Sequence, residues 1–168
     1  IDYLFVGLGA SNCLLILKLE KMGLLDEKKI VILEPKQKNK KDKTYCFWAT
    51  SDEVKKIIPN NFIDKEWESV IINGKKQDLH PLKYFHVSSL TLYDKALQIV
   101  NARGAQILSE KLELSESANQ ITIDGKIHKP KYAFDSRPPL IENQSQKHFY
   151  VNQSFVGWQI QTLSLIHI

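Results

Sequence analysis

The chain has 168 residues, 43% apolar and 25% charged, enough for one domain, or one and a part, of ordinary globular composition; wholesale disorder is excluded. Lys+Arg 23 against Asp+Glu 19 leaves +4 with His neutral, too weak a bias to argue for nucleic acid by itself. The two cysteines, Cys13 and Cys46, exclude a disulfide-rich scaffold and a four-cysteine zinc site and fit a reducing compartment, and no run approaches the ~18 apolar residues of a membrane-spanning helix.

Residues 2–7 read as a short buried strand ended by Gly7. Residues 11–22 read as a helix, with Ser11 or Asn12 as its cap and Gly23 as its stop. Residues 29–34 form a second apolar strand closed by Pro35. Strand, helix and strand in about 30 residues make a βαβ unit, hence two parallel strands. Five lysines fall within 36–43, which reads as a solvated loop. Ser51–Ile58 is helical in pattern, with Ser51 as cap, Asp52 and Glu53 in the first turn and Pro59 beyond the end. Trp67–Leu79 is a hairpin around Asn73-Gly74, because both central residues of a type I′ turn need positive φ. Tyr84–Ser88 is a further strand. Leu90–Arg103 is a helix stopped by Gly104. Residues 105–113, 119–128 (turning at Asp124-Gly125) and 131–135 are strands, and Pro138-Pro139 follows. A simple doubly wound sheet would alternate strand and helix throughout. This order leaves the first sheet, builds part of a second and returns.

Gly7-Leu8-Gly9-Ala10-Ser11-Asn12 sits where a dinucleotide fingerprint belongs, after the first strand and opening the first helix. The first glycine permits the tight turn, the second lets backbone approach a pyrophosphate, and the helix N-terminus offers free N–H groups and partial positive charge. Glu34 ends the second strand 22 residues beyond Asn12, where a carboxylate can accept from ribose hydroxyls. Asn12 stands where a third glycine or alanine would allow close helix–strand packing, so the helix is expected slightly further out. Glycines used for turn geometry alone are the alternative reading.

Asp42-Lys-Thr-Tyr-Cys-Phe-Trp48, Phe134-Asp-Ser-Arg-Pro-Pro139 and Gln153-Ser-Phe-Val-Gly-Trp-Gln159, with the Gly7 turn and Ile-Leu-Glu-Pro at 32–35, resemble the bacterial lycopene beta-cyclase family, in order from about residue 2 to about residue 161. The resemblance implies an α/β flavoprotein: a Rossmann-like FAD-binding βαβ unit interleaved with a partial β-rich substrate domain. The expected division is residues 1–50 and 90–140 for the FAD-binding domain and 51–89 and 141–162 for the substrate domain. It also implies that lycopene ends close into beta-ionone rings without net redox change, with reduced FAD required and NAD(P)H as its reductant. Lys43 stands where the family commonly has Arg, keeping the charge but losing the flat bidentate fork. Tyr45 stands where it commonly has Trp. Beyond Thr162 the likeness stops, so 163–168 reads as a truncated or foreign tail and the chain as an N-terminal part.

Ring closure begins with protonation of a terminal double bond, so the protein needs a carboxylic acid kept protonated by apolar burial, and negative or π-electron density beside the cation. The family's paired glutamates for this task have no counterpart here, and no catalytic residue is assigned. Expected cofactor contacts are Gly7, Gly9, Ala10, Ser11, Asn12, Glu34, Lys43 and Asp135, the last at a strand's carboxyl end, where such folds gather ligands; a turn aspartate is the alternative. Phe47, Trp48, Phe155 and Trp158 line either a carotenoid path or the ordinary core. The five histidines show no metal-ligand spacing, and no metal or nucleic acid is expected as a partner. Cys13 reads as buried and inert; Cys46, with no histidine near it in sequence, reads as no nucleophile. A hydrocarbon substrate that lives in membranes predicts a cytoplasmic protein held peripherally on the inner membrane face, with the loop at 36–43 as the attracting surface. A flavin oxidoreductase of the same fold and an inactive truncated nucleotide-binding module remain as alternatives.

Overall fold

In chain order the computed structural model contains β1 (Tyr3–Val6), α1 (Ala10–Lys21), β2 (Ile30–Leu33), β3 (Thr44–Ala49), α2 (Ser51–Ile57), a 3-10 turn (Asn60–Phe62), β4 (Ile63–Trp67), β5 (Ser69–Ile72), β6 (Lys75–Asp78), β7 (Lys83–Ser88), α3 (Ser89–Ala102), β8 (Gln106–Leu108), β9 (Ile121–Ile123), β10 (Lys126–His128) and β11 (Tyr132–Asp135). The structure describes residues 1–110, 112, 119–123 and 125–137; Phe155, Trp158 and the segments 141–162 and 163–168 lie outside them.

The first sheet is parallel throughout, in the order β11-β1-β2-β8. Alternation along its strands sends side chains to opposite faces, and both faces are covered. Tyr3, Phe5, Ile30 and Ile32 pack against Cys13 and Ile16 of α1 and Leu92, Tyr93, Ala96 and Val100 of α3. Leu4, Val6, Val31 and Leu33 pack on the other side with Ile121 and Ile123 of β9. Burial on both faces is why β1 and β2 are unbroken apolar runs rather than alternating ones. Each fully buried aliphatic side chain contributes about 1.5–3 kcal/mol. This is the expected Rossmann-like α/β architecture, with a β-hairpin in place of a helix before β11.

The long connection from β2 to β8 carries the second sheet, antiparallel in the order β3-β7-β4. Tyr45, Phe47, Phe85 and Val87 turn into the same core as α1 and α3. Their neighbours Cys46, Trp48, Tyr84 and Trp67 lie on the opposite face, where Trp48 is 51% and Trp67 43% exposed. The β5–β6 hairpin forms a sheet of its own. Its turn residues, Asn73 at φ 51 and Gly74 at φ 75, are those the Asn-Gly pair predicts.

Three local expectations are corrected. The N-cap of α1 is Gly9, with no side-chain cap, so neither Ser11 nor Asn12 caps it. The N-cap of α2 is Thr50, not Ser51: its hydroxyl accepts from Glu53 N–H while the Glu53 carboxylate accepts from Thr50 N–H. That reciprocal pair satisfies two otherwise unbonded donors, and Ser51 has Val54 where the partner glutamate would need to be. In the lysine loop, Lys38 turns inward with a side chain only 11% exposed.

Candidate functional site

The chain runs from β1 outward to β2 and β8, then returns to the other side of β1 as β11. The carboxyl ends of β1 and β11 are therefore the switch point of the sheet, the place at which such sheets bind ligands. Gly7 leaves β1 there with φ +78, and a Cβ on it would lie 2.7 Å from Ser136 Oγ. Ser136 in turn donates from its backbone N and from Oγ to Val6 O, at 2.9 and 3.0 Å. Gly9 then starts α1 with no side chain over the helix end. Ala10 is half-buried and Ser11 exposed at this opening. The first N–H groups of a helix lack intrahelical acceptors and carry partial positive charge, so this end suits a phosphate group.

Asn12 is 3% exposed. Its Nδ2 donates to Val6 O (3.2 Å), Gly7 O (2.7 Å) and Phe134 O (3.1 Å). The residue that departs from the glycine pattern thus ties α1 to the ends of both β1 and β11.

Glu34, 9% exposed, turns back toward the glycine turn. Its Oε2 accepts from Leu8 N–H at 2.7 Å and its Oε1 from Lys36 N–H at 3.0 Å. Lys38 Nζ lies 3.4 Å from Glu34 Oε2 and 3.9 Å from Asp42 Oδ2, and 5.0 Å from the centre of the Tyr93 ring. Tyr93 donates its hydroxyl to Asp42 Oδ1 at 2.9 Å and meets the Tyr45 hydroxyl at 2.8 Å. Burial, together with these two neighbours, pushes the Tyr93 phenol well above its ordinary range. A polar chain therefore runs from the glycine turn into β3. Beside it, at the carboxyl ends of β2 and β8, lies a cavity of ≈ 370 Å³ lined by Leu8, Glu34, Lys36, Lys38, Leu97 and Ser109, among others. A carboxylate offers about four acceptor positions, and Glu34 meets three partners here. The open helix end, the glycine turn and this carboxylate together fit an adenine dinucleotide.

Asp135 is the register partner of Val6. Arg137 grips it in a fork, with Nε 2.9 Å and Nη2 2.6 Å from its two oxygens. That contact holds the Asp135 carboxyl below the usual range. The turn reading of Asp135 is seen in its contacts with Arg137 N–H and guanidinium. Lys43 is exposed at the entry to β3.

Alternation separates the two aromatic candidates of β3. Phe47 stacks on Phe85 at 5.7 Å between ring centres, on the core side. Trp48 stands on the outer side, 4.5 Å from Tyr84, which is 5.8 Å from Trp67. The core side of β3, with α1 and α2, also lines an apolar cavity of ≈ 560 Å³ that includes Leu14, Phe47, Val54 and Leu92. Cys13 is buried, and burial pushes its thiol up to about 12. Cys46 lacks a nearby histidine only in sequence: the antiparallel register sets His86 opposite it, and His86 Nδ1 lies 3.5 Å from Asp64.

The family described as "Lycopene cyclase protein" matches residues 2–166. The chain belongs to this family. The match runs past Thr162, the limit of the likeness read from the sequence. A search of curated proteins finds no match. Among solved structures, the chain is similar to the peptidyl tryptophan dihydroxylase QhpG (9% identity, 86% of this chain and 34% of that one, TM-score 0.45). It is also similar to PqsL of P. aeruginosa in complex with 2-aminobenzoylacetate (14%, 79% and 41%, 0.48). A third is the halogenase PltM in complex with phloroglucinol and FAD (13%, 81% and 34%, 0.44). The chain thus spans 34% to 41% of the lengths of these structures.

Within this family member, the lysine of the 36–43 loop that reaches the glycine-turn region is Lys38, not Lys43. A spacing signal existed: Glu34, Lys38 and Asp42 are each four apart. The density of lysines around it made the segment read as uniformly solvated.

Proposed function

We propose that the chain is the N-terminal part of an FAD-dependent lycopene beta-cyclase, working in carotenoid biosynthesis with NAD(P)H as the reductant of its flavin. We further propose that it works on the cytoplasmic inner face of the membrane. The observation that carries the reading is the glycine turn at the switch point of the parallel sheet, in a chain of the lycopene cyclase family. In this reading Gly7, Gly9, Ala10 and Ser11 receive the pyrophosphate on the open end of α1, with Asn12 holding that end in place. Glu34 accepts from the adenosine ribose. Asp135, at the carboxyl end of β11, and Lys43 are kept as further cofactor contacts in this reading. When bound and reduced, FAD supplies negative charge beside the polyene cation. The chain's own residues bind and orient; the proton donor is assigned to none of them. Trp48, Tyr84 and Trp67 offer aromatic faces suited to a polyene cation. Phe47 contributes to the core behind them, and Phe155 and Trp158 keep a substrate role as a proposal from the family resemblance.

The test begins with the recombinant chain. Titration into FAD is expected to quench flavin fluorescence saturably, with ADP competing. A continuous reading frame carrying this chain, expressed in a lycopene-making host, is expected to yield cyclised product with NAD(P)H consumed far below product. Absence of saturable FAD binding defeats the cofactor assignment. NAD(P)H oxidation in proportion to product defeats the cyclase assignment in favour of a flavin oxidoreductase.

A further inference from the structure

The lysine loop at 36–43 carries charge but no apolar side chain, and its Lys38 is turned inward. The β5–β6 hairpin carries both. Ile71 is 76% and Ile72 49% exposed. In the ladder Ile71 pairs with Lys76 and Ile72 with Lys75, so alternation puts one isoleucine and one lysine on each face. Both faces of the ribbon stand in solvent, with all four residues of β6 exposed. Two apolar side chains beside an exposed turn have nothing to gain in water.

Charge is sorted along the same hairpin. Lys75 and Lys76 lie next to the turn, and among the described residues neither is held in an ion pair. The carboxylates lie at the base: Glu66 and Glu68 share the single ammonium of Lys83, at 3.0 and 2.7 Å, and Asp78 accepts from His80 N–H at 2.8 Å. Trp67, 43% exposed, stands at the same base, where an indole suits the boundary between headgroups and water.

We propose that the tip of the β5–β6 hairpin is a membrane-docking element, placing Ile71 and Ile72 among the acyl–headgroup boundary of an anionic bilayer while Lys75 and Lys76 bind its phosphates. The proposal rests on the membrane-surface part of the function proposed above and moves the contact from the 36–43 loop to the hairpin. Apolar burial supplies the insertion, and the two lysines add attraction to an anionic surface.

The experiment is flotation of the chain with vesicles of phosphatidylcholine alone and of phosphatidylcholine with phosphatidylglycerol. Far-UV circular dichroism and the FAD titration verify that each variant is folded. Wild type is expected to float with the anionic vesicles. I71S/I72S is expected to lose about a hundredfold or more in vesicle affinity, by the area of two isoleucines. K75E/K76E is expected to lose about thirtyfold or more on anionic vesicles and nothing on neutral ones. K40E/K41E in the loop is expected to change affinity less than either. If wild type does not float, the membrane reading itself fails and takes the proposal with it. If wild type floats and both hairpin variants float equally well, the hairpin proposal alone is overturned. A change of oligomeric state in I71S/I72S, seen by light scattering without change in flotation, overturns it in favour of a face between two copies.

Discussion

Two constraints meet at Gly7 and neither acts at Gly9. A side chain at residue 7 would be strained by the positive φ and would also press on Ser136 Oγ at 2.7 Å. At residue 9 the backbone is ordinary, and the nearest atom to a Cβ is 3.5 Å away. G7A is therefore expected to lower stability by about 2 kcal/mol or more, seen as a lower urea midpoint, and to lose FAD binding with it. G9A is expected to cost no more than about 1 kcal/mol while weakening FAD binding, because its methyl stands over the open helix end. Equal stability losses in the two variants would contradict this assignment of roles. The need for glycine at residue 7 was legible from the turn pattern. The role of Asn12 was not: one of its three acceptors, Phe134 O, is 122 residues away, and no local pattern announces that partner.

Among the elements, the βαβ start was legible because burial on both faces makes β1 and β2 solid apolar runs. β3 and β4 passed unread. Each has one face in the core and one outside, and charges in β4 (Asp64, Lys65, Glu66) mask its pattern. The cap of α2 was misread as Ser51, because that neighbouring hydroxyl competes with the Thr50-x-x-Glu53 spacing that marks the true cap. The loop from β2 to β3 is held by Lys38, whose ammonium is enclosed by Glu34, Asp42 and the Tyr93 ring. Removing that charge leaves the buried Glu34 carboxylate with only its two backbone donors. K38M is expected to cost about 2 kcal/mol and to weaken ADP binding. K43M, at an exposed position, is expected to change stability by less than about 0.5 kcal/mol. Thermal melts of the two variants check the contrast, and a K43M effect as large as that of K38M would refute it.

On the scale of the whole molecule, the two sheets share one core. Phe85 and Val87 of the second sheet are clustered with Phe5, Ile32 and Leu92 around the first. F85A is expected to cost about 3–5 kcal/mol and to lower the unfolding midpoint of the entire chain, with FAD binding and tryptophan fluorescence lost in one transition. Separate midpoints for the two signals would show two independent units. The leave-and-return order was visible in the sequence as a change from βαβ to hairpins and back. The sharing of a core was not, because it is decided by which face of β3 and β7 turns inward.

The pairing of β1 has a temporal consequence. One of its edges meets β2 early, but the other waits for β11, with Tyr3 opposite Tyr132. At about 5–20 residues per second on the ribosome, the central strand spends roughly five to twenty seconds with one edge open. An apolar strand left unpaired for that long is a template for pairing with another chain. Newly made chains should therefore be most vulnerable to aggregation before residue 135 has emerged. Slower synthesis across β8 to β11 would lengthen that exposure, so yield of folded protein should depend on how fast the last strand of the sheet is delivered.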